Sequence, residues 1–400
     1  MLATLTILLA AGLPNDIPVS DRLAEVGPLG NFGKSAAEFE DWSRDEPDND
    51  NIRAAAGMLR FFSAVELLNR GFYRYGATAP DLILRPLQVP IPTNPDPEPF
   101  TYELSRRLAE QSIDNMTAAA RLLADVKDPD VAFIVPLGQM KFDFTGDGTA
   151  ETPLTTFVAA AMNGGRSRSV AKWTTIKVDA DRADVAWLLG YTHVLRAMAE
   201  GYLAYDGREF FDAIAPRLFA GVPHPLAGVE RERLRRDWQG ILLDAAVAVK
   251  SCRFTPREPA RLKMVHKHLR ESVDRSRECW THTLKETDDA REWLPGPGQT
   301  SVIPLSIGKR QVDAWRLFLD ETDAVLDGKR LIPHWRLKRT HGINLKKILE
   351  EAPTLDLIDW SHGRGVLPFV EEGEVVSAET VDELDDAFGG RFLSFAAWIN

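Results

Sequence analysis

This sequence has no long apolar run, almost no cysteine, no surplus of positive charge and none of the familiar catalytic signatures. Each absence excludes something. No stretch approaches the ~18 consecutive apolar residues that a membrane-spanning helix needs, so no span is expected. Two cysteines, Cys252 and Cys279, allow one disulfide at most within the chain. G-x-S-x-G, H-E-x-x-H, the Walker A loop and G-x-G-x-x-G are all missing, so no motif announces a nucleophile, a zinc peptidase or a phosphate cradle. No segment recurs at a fixed period, which argues against a repeat architecture.

Positive charge is scarce as well. The formal net charge is −11. Residues 350–400 hold twelve Asp/Glu against two Arg, a charge of −10, so the preceding 349 residues are close to neutral. The most basic stretch, 228–291, sets 15 Lys/Arg against 11 Asp/Glu, the pattern of a salt-laced helical surface. A nucleic-acid footprint needs a strongly basic face, so no nucleic-acid partner is expected.

What the chain does have is apolar material at helical spacing. Hydrophobic residues make up 44% of it, with 19 Phe and 10 Trp, enough for a sizeable core. Leu59, Phe62, Val65, Leu68 and Phe72 recur at intervals of three and four, which predicts a helix over 52–75 ended by Gly76. Trp187, Tyr191, Leu195, Met198 and Tyr202 predict a second over 181–205, with Asp181 and Asp184 at its N-terminus, where acids are favoured. Further helices are predicted at 101–127, 208–220, 229–250, 257–287 and 309–327. Seven prolines between Pro80 and Pro99 predict an extended connector, because proline fixes φ and removes backbone donors. The stretch 287–308 reads as loop with one short strand. The fold class is therefore mainly α: an irregular multi-helix globular bundle with a few short strands and long Pro-rich connectors. The predicted division is an apolar N-terminus at 1–13, a helical domain at 14–345, and an acidic segment at 346–400 packed on that domain.

Residues Leu2–Leu13 have the length of a signal-peptide apolar region and include the small residues Ala10, Ala11 and Gly12 for cleavage, though no Lys or Arg precedes them. The expectation is export to a periplasmic setting, with a cytoplasmic location as the alternative.

One loop carries recognisable chemistry. Residues 143–154 read D-F-T-G-D-G-T-A-E-T-P-L. Side-chain oxygens fall at alternate positions, on Asp143, Thr145, Asp147, Thr149 and Glu151, with Gly148 at the sixth. This pattern resembles the EF-hand and dockerin-type calcium loop over about twelve residues. Calcium takes six to eight hard oxygens, and the glycine permits the sharp turn that points them inward. The resemblance implies that Asp143 and Asp147 are direct ligands, Thr145 gives a hydroxyl, Thr149 its backbone carbonyl, and Glu151 acts directly or through water. Two positions depart from the family: Thr145 replaces an Asp or Asn, and Leu154 stands where a bidentate acid belongs. Asp179, Asp181 and Asp184 are candidates to replace that acid. The alternative is a turn in which Asp143 and Asp147 cap backbone N–H groups.

Cys252, His266, His268, Cys279 and His282 lie within 31 residues. A Cys252–Cys279 disulfide, two inert thiols, and a zinc site are the readings in order of preference, since the spacing fits no familiar zinc pattern. Glu66 and Arg70 are four apart on one predicted helix, and His193 and Glu200, with Arg196 near, share a face of another. Packed together, these helices would form a polar layer able to do acid–base work. Asn163–Ser169 offers a Gly/Ser-rich turn for an anion, and Ser361 lies beside His362. Both are weaker signals.

The functional expectation is an exported calcium-binding helical protein with a binding or scaffolding role and a protein or cell-envelope partner. No small-molecule ligand is named by the sequence. The alternative is a hydrolase-like enzyme using Glu66, Arg70, His193 and Glu200.

Overall fold

The computed structural model describes residues 17–78, 91–162, 173–224, 226, 238–390, 392, 395 and 396. The apolar N-terminus at 1–13 and the anion-turn candidate Asn163–Ser169 lie outside them.

The described residues open with three helices, α1 (Ile17–Val26), α2 (Phe32–Asp45) and α3 (Asp50–Arg74), followed by α4 (Tyr102–Ala124). A strand-rich stretch comes next: β1 (Ala132–Val135), β2 (Lys141–Phe142), β3 (Thr152–Pro153), helix α5 (Leu154–Met162) and β4 (Val178–Asp181). Helix α6 (Arg182–Ala204), β5 (Tyr205–Asp206), α7 (Arg208–Leu218), α8 (Trp238–Ser251), β6 (Arg253–Pro256) and α9 (Arg261–Thr283) carry the chain through its middle. It ends with α10 (Lys309–Leu326), β7 (His341–Ile343), α11 (Leu345–Glu351), β8 (Leu355–Asp356), α12 (Leu357–His362), β9 (Val370–Glu372) and α13 (Ala378–Ala387). The strands are short and pair antiparallel in two- or three-stranded ribbons. The fold is mainly α, as the periodicity predicts.

The backbone of the bundle is a run of neighbouring helices: α2 on α3, α3 on α4, α4 on α6, and α6 on α9. Close approach of α3 to α4 depends on glycine. A Cβ at Gly57 would sit 2.7 Å from the Leu123 side chain, and one at Gly71 would sit 2.7 Å from Leu108. Glycine costs about 1 kcal/mol relative to Ala inside a helix, and the interhelical packing that it permits offsets that.

One main apolar core unites the N-terminal helices with the strands, α6, α9 and α10. Phe32, Phe39, Ile52, Leu59 and Leu123 are fully or almost fully enclosed there. The acidic C-terminal stretch joins the same core through Leu384, Ala387 and Phe388 of α13 and its end. Its proposed boundary at 346 falls inside α11. Two smaller clusters lie between α9 and α11 and around β7, α11 and Phe369.

The predicted stripe on α6 holds over its first half only. Met198 is 67% exposed and Tyr202 40%, because here the helix runs out past the main core. The helix predicted at 229–250 is described from Trp238, and 227–237 lie outside the described residues. The segment 287–308 is loop, with one isolated bridge between Glu292 and Ser301.

Candidate functional site

Two helices face each other with matching spacing. Met58, Phe61, Phe62 and Val65 on α3, and Asp184, Trp187, Leu188 and Tyr191 on α6, each follow i, i+3, i+4, i+7, one face of a helix. Between them lies a cavity of about 290 Å³. Leu154 and Val158 of α5 line another side, and so does the β1–β4 ribbon through Val135, Val178 and Ala180. The register explains why both strands contribute: Val135 pairs with Val178, so their side chains share one face. Trp293, from the loop after α9, completes the aromatic wall. Its ring meets Trp187 edge to face at 5.6 Å, and Trp187 in turn packs at 4.7 Å from Tyr191.

The walls are apolar except at one place. Asp184 is the one acidic residue among the lining residues. Asp184 is the third residue of α6, and the helix start explains how it is held. Asp181 accepts from the Ala183 and Asp184 N–H groups, and the Asp184 carboxylate accepts from the Asp181 N–H at 3.3 Å, a reciprocal cap. Burial pushes the Asp184 carboxyl well above the usual range, and Asp181, Glu286 and Glu292 nearby push it further. Burial likewise lifts Glu286 to about 8 and Glu292 to about 7, with Asp181 adding to both. Among the described residues no Lys or Arg side chain is paired with Asp184, Glu286 or Glu292, and His282 is the basic group that interacts with Asp181. The two nearest arginines are committed elsewhere: Arg182 binds Glu278 and the Val126 carbonyl, and Arg291 pairs with Asp179 at 2.6 Å. Asp184 thus borders an aromatic cavity with three further carboxyl groups close by, and no Lys or Arg among the described residues is paired with Asp184, Glu286 or Glu292.

The opposite wall includes Phe142, and the calcium-type loop begins on the next residue. Asp143 is buried, and all its hydrogen-bonding capacity is used. Its Oδ1 accepts from the Gly146 N–H at 2.7 Å and the Thr145 hydroxyl at 3.1 Å. Its Oδ2 accepts from the Gly148 N–H at 3.1 Å and from Arg70 at 2.9 Å, while Arg70 Nε donates to the Asp143 carbonyl at 2.7 Å. Gly146 and Gly148 both have positive φ, which the tight turn requires. Glu66, fully buried, accepts from the Asp143 N–H at 2.8 Å and the Phe32 N–H at 3.1 Å. Burial raises its pKa, against the pull of those hydrogen bonds and of Arg70.

The five predicted calcium donors do not converge. Asp143 is taken by the turn and by Arg70, Asp147 accepts from the Thr149 N–H at 2.7 Å, and Asp147, Thr149 and Glu151 are exposed. Among the described residues, no group of three or more His, Cys, Asp or Glu is placed to hold a metal ion. The donors as arranged do not fit calcium, and the turn reading describes them. The three acids suggested as replacements are elsewhere: Asp179 pairs with Arg291, Asp181 caps α6, and Asp184 borders the cavity.

The predicted polar layer is not assembled either. Glu66 and Arg70 serve the loop, Glu200 pairs with Arg261 at 2.8 Å, and His193 meets His268, Nδ1 to Nδ1, at 3.0 Å. Burial holds His193 down at about 3 and His268 at about 4, so one neutral imidazole donates to the other. The physical reason is pairing: α6 packs mainly on α9 and α4, and only lightly on α3, so its polar residues find partners on α9.

Cys252 and Cys279 are free thiols, not a disulfide. The Cys252 thiol donates to the Ala248 carbonyl at 3.2 Å, and Cys279 is buried. His266 binds the Leu326 carbonyl at 2.9 Å and not a metal group. His362 lies 3.2 Å from Arg336, and the Ser361 carbonyl accepts from Trp335, so no catalytic pair forms there.

The residues that build the cavity were visible in the sequence, but they read as core. An acid followed at three and seven residues by Trp187 and Tyr191 places a carboxyl on the apolar stripe itself, and that was the available signal. Trp293, Glu286 and Glu292 come from a loop whose path no periodicity reveals. No family model, no curated protein and no solved structure matches the chain.

Proposed function

We propose that this chain binds a small, mostly apolar molecule in the cavity between α3, α5 and α6. The cavity itself carries this reading. Protein interiors are close-packed, so a partly open space of about 290 Å³ between apolar and aromatic walls departs from the packing of the rest of the core. A core that packs Phe32, Phe39 and Leu59 without exposure has the means to fill such a space. Scaled from a 150 Å³ cavity that holds benzene, this one accepts about a dozen heavy atoms. Its few polar groups set among aromatic walls match the general character of small-molecule sites.

Binding is favoured over catalysis because, among the described residues, Asp184 and Tyr191 are the titratable groups that line the cavity. His193 and His268 are engaged with each other, and Glu66 with two backbone N–H groups. The calcium reading would require a cation to displace Arg70 from Asp143, so it is the second reading. An exported setting and a cell-envelope partner rest on residues 2–13 alone, and the binding reading does not depend on them.

The test is a titration with n-octanol, followed by tryptophan fluorescence, since Trp187 and Trp293 both line the cavity. A saturable change is expected, lost in Ala180→Phe, which puts a ring into the space. A flat titration, or one that Ala180→Phe leaves intact, would dismiss the cavity as the binding site.

A further inference from the structure

We infer that the ligand is a lipophilic amine, bound as its ammonium ion with the charged head at Asp184 and the apolar body between the two helices. This rests on the cavity being a binding site. Three observations, independent of one another, choose the head group.

The first is charge. Asp181, Asp184, Glu286 and Glu292 gather at one end of the cavity, with Asp288 and Asp289 on the same loop. The neighbouring arginines pair outward, Arg182 with Glu278 and Arg291 with Asp179. Buried carboxyls are normally matched by a cation, and among the described residues no Lys or Arg is paired with Asp184, Glu286 or Glu292. A carboxylate or phosphate head would enter beside carboxyls that already suppress one another's ionisation, so an anionic head is disfavoured by the same arrangement.

The second is the hydrogen-bonding state of Asp184. It accepts from one backbone N–H, at the long distance of 3.3 Å, which leaves acceptor capacity on the side chain that borders the cavity. An ammonium group carries three donors and no acceptor; its charge favours the ionised form of Asp184, whose proton passes to solvent as the pair forms.

The third is the wall. Trp187, Tyr191 and Trp293 pack at tilted and edge-to-face angles beside Asp184, so aromatic faces border the place where the head would sit. Ring faces attract cations, Trp most of all, and the attraction grows where water is excluded. Indole and phenol faces beside a carboxylate are the elements of an ammonium cage, whereas a purely hydrocarbon ligand would need no acid there.

The experiment ranks three probes of equal chain length, n-octylamine, n-octanol and octanoate, by calorimetry at neutral pH on the whole protein. The amine should bind at least about tenfold more tightly than the alcohol, and octanoate should show no binding. Asp184→Asn retains an oxygen to accept from the Asp181 N–H and so preserves the helix cap. In that variant octanol should bind as before while octylamine falls to the octanol level. Equal affinity of amine and alcohol in the unaltered protein overturns the amine assignment and leaves the cavity standing. So does an amine preference that survives in Asp184→Asn. Absence of binding by all three probes overturns the cavity reading along with it. The ranking in the unaltered protein decides the question even where the variant does not fold.

Discussion

Two groups of buried carboxyls flank the same cavity, and they are treated in opposite ways. On the Phe142 side, Glu66 and Asp143 are matched donor for acceptor: two backbone N–H groups on Glu66, two on Asp143, and Arg70 bridging them. At the α6 end, Asp181 caps the helix, Glu286 accepts from Gln299 and Glu292 from the Ala290 N–H. Arg182 and Arg291 pair elsewhere, and neutral donors alone serve Asp184, Glu286 and Glu292 among the described residues. A buried acid with a full set of donors is a structural pin, and here it fixes the loop that carries Phe142 into the wall. Asp184, Glu286 and Glu292 are held at a cost, which their raised proton affinity expresses. The difference separates what holds the site from what the site is for.

Breaking the pin should have the largest effect. Glu66→Ala leaves two buried N–H groups without acceptors and removes one acid from beside Arg70. Each orphaned donor costs about 1–3 kcal/mol, so a loss of about 3 kcal/mol is expected, read from denaturant midpoints. Glu66→Gln, which retains one acceptor oxygen, should lose clearly less. A Glu66→Ala variant as stable as the parent would mean that the loop is held by something other than this pin.

The α6 end should reveal itself in the pH dependence of stability. Its acids have folded-state proton affinities raised above those of the unfolded chain. Their contribution is therefore fully present below about pH 4.5 and is lost as pH rises toward 7 to 8, where Glu292 and Glu286 titrate. The groups that set this window are Asp184, Glu286 and Glu292, with Asp181, Asp288, Asp289, Arg182, Arg291, Cys279 and His282 around them. The His193–His268 pair works in the other direction. Its depressed affinities mean stability present above about pH 6.5 and lost as pH falls toward 4 and 3. Melting midpoints should thus peak in mildly acidic solution. Glu292→Gln should flatten the alkaline limb alone, and His268→Phe the acid limb alone. A midpoint that climbs steadily from pH 5 to pH 8 would contradict the burial of the acidic cluster.

Filling the cavity is a smaller change with the opposite sign. Ala180→Phe should raise stability by about 1 kcal/mol, the usual gain from filling a void, while removing ligand binding. Destabilisation would show that the space beside β4 is already filled.

How much of this the sequence discloses follows from what each signal measures. Periodicity reports which residues share a helix face, so α3, α4, α6, α7, α9 and α10 are legible to within a few residues. It does not report whether that face meets another closely or leaves a gap. Phe62 and Tyr191 therefore read the same whether they are packed or line a cavity. Nor does it tell which helix supplies a partner. His193 and Glu200 share a face as expected, but their partners His268 and Arg261 lie on α9, and Glu66 and Arg70 belong to a loop 73 to 77 residues on. Spacing of oxygens in a loop is weaker still. Alternating Asp and Thr around glycine serves a metal and an Asp-capped turn alike. What decides between them at Asp143 is Arg70, which sits on another element.

That last point gives the smallest expected effect, and it bears most directly on the loop. With Arg70 donating to both the carboxylate and the carbonyl of Asp143, a calcium ion would have to expel a guanidinium and strip three loop donors from the same side chain. The melting midpoint should therefore be unchanged between excess calcium and EGTA. Asp147→Ala, which removes one exposed acceptor for the Thr149 N–H, should alter stability little in either condition. A ligand present at 100 times its dissociation constant stabilises by ~2.7 kcal/mol, so a real site would be plain in such a comparison. A calcium-dependent rise that vanishes in Asp147→Ala would show that Arg70 gives way to a cation. The loop would then belong with the acids awaiting a cation, and not with the pin that fixes Phe142.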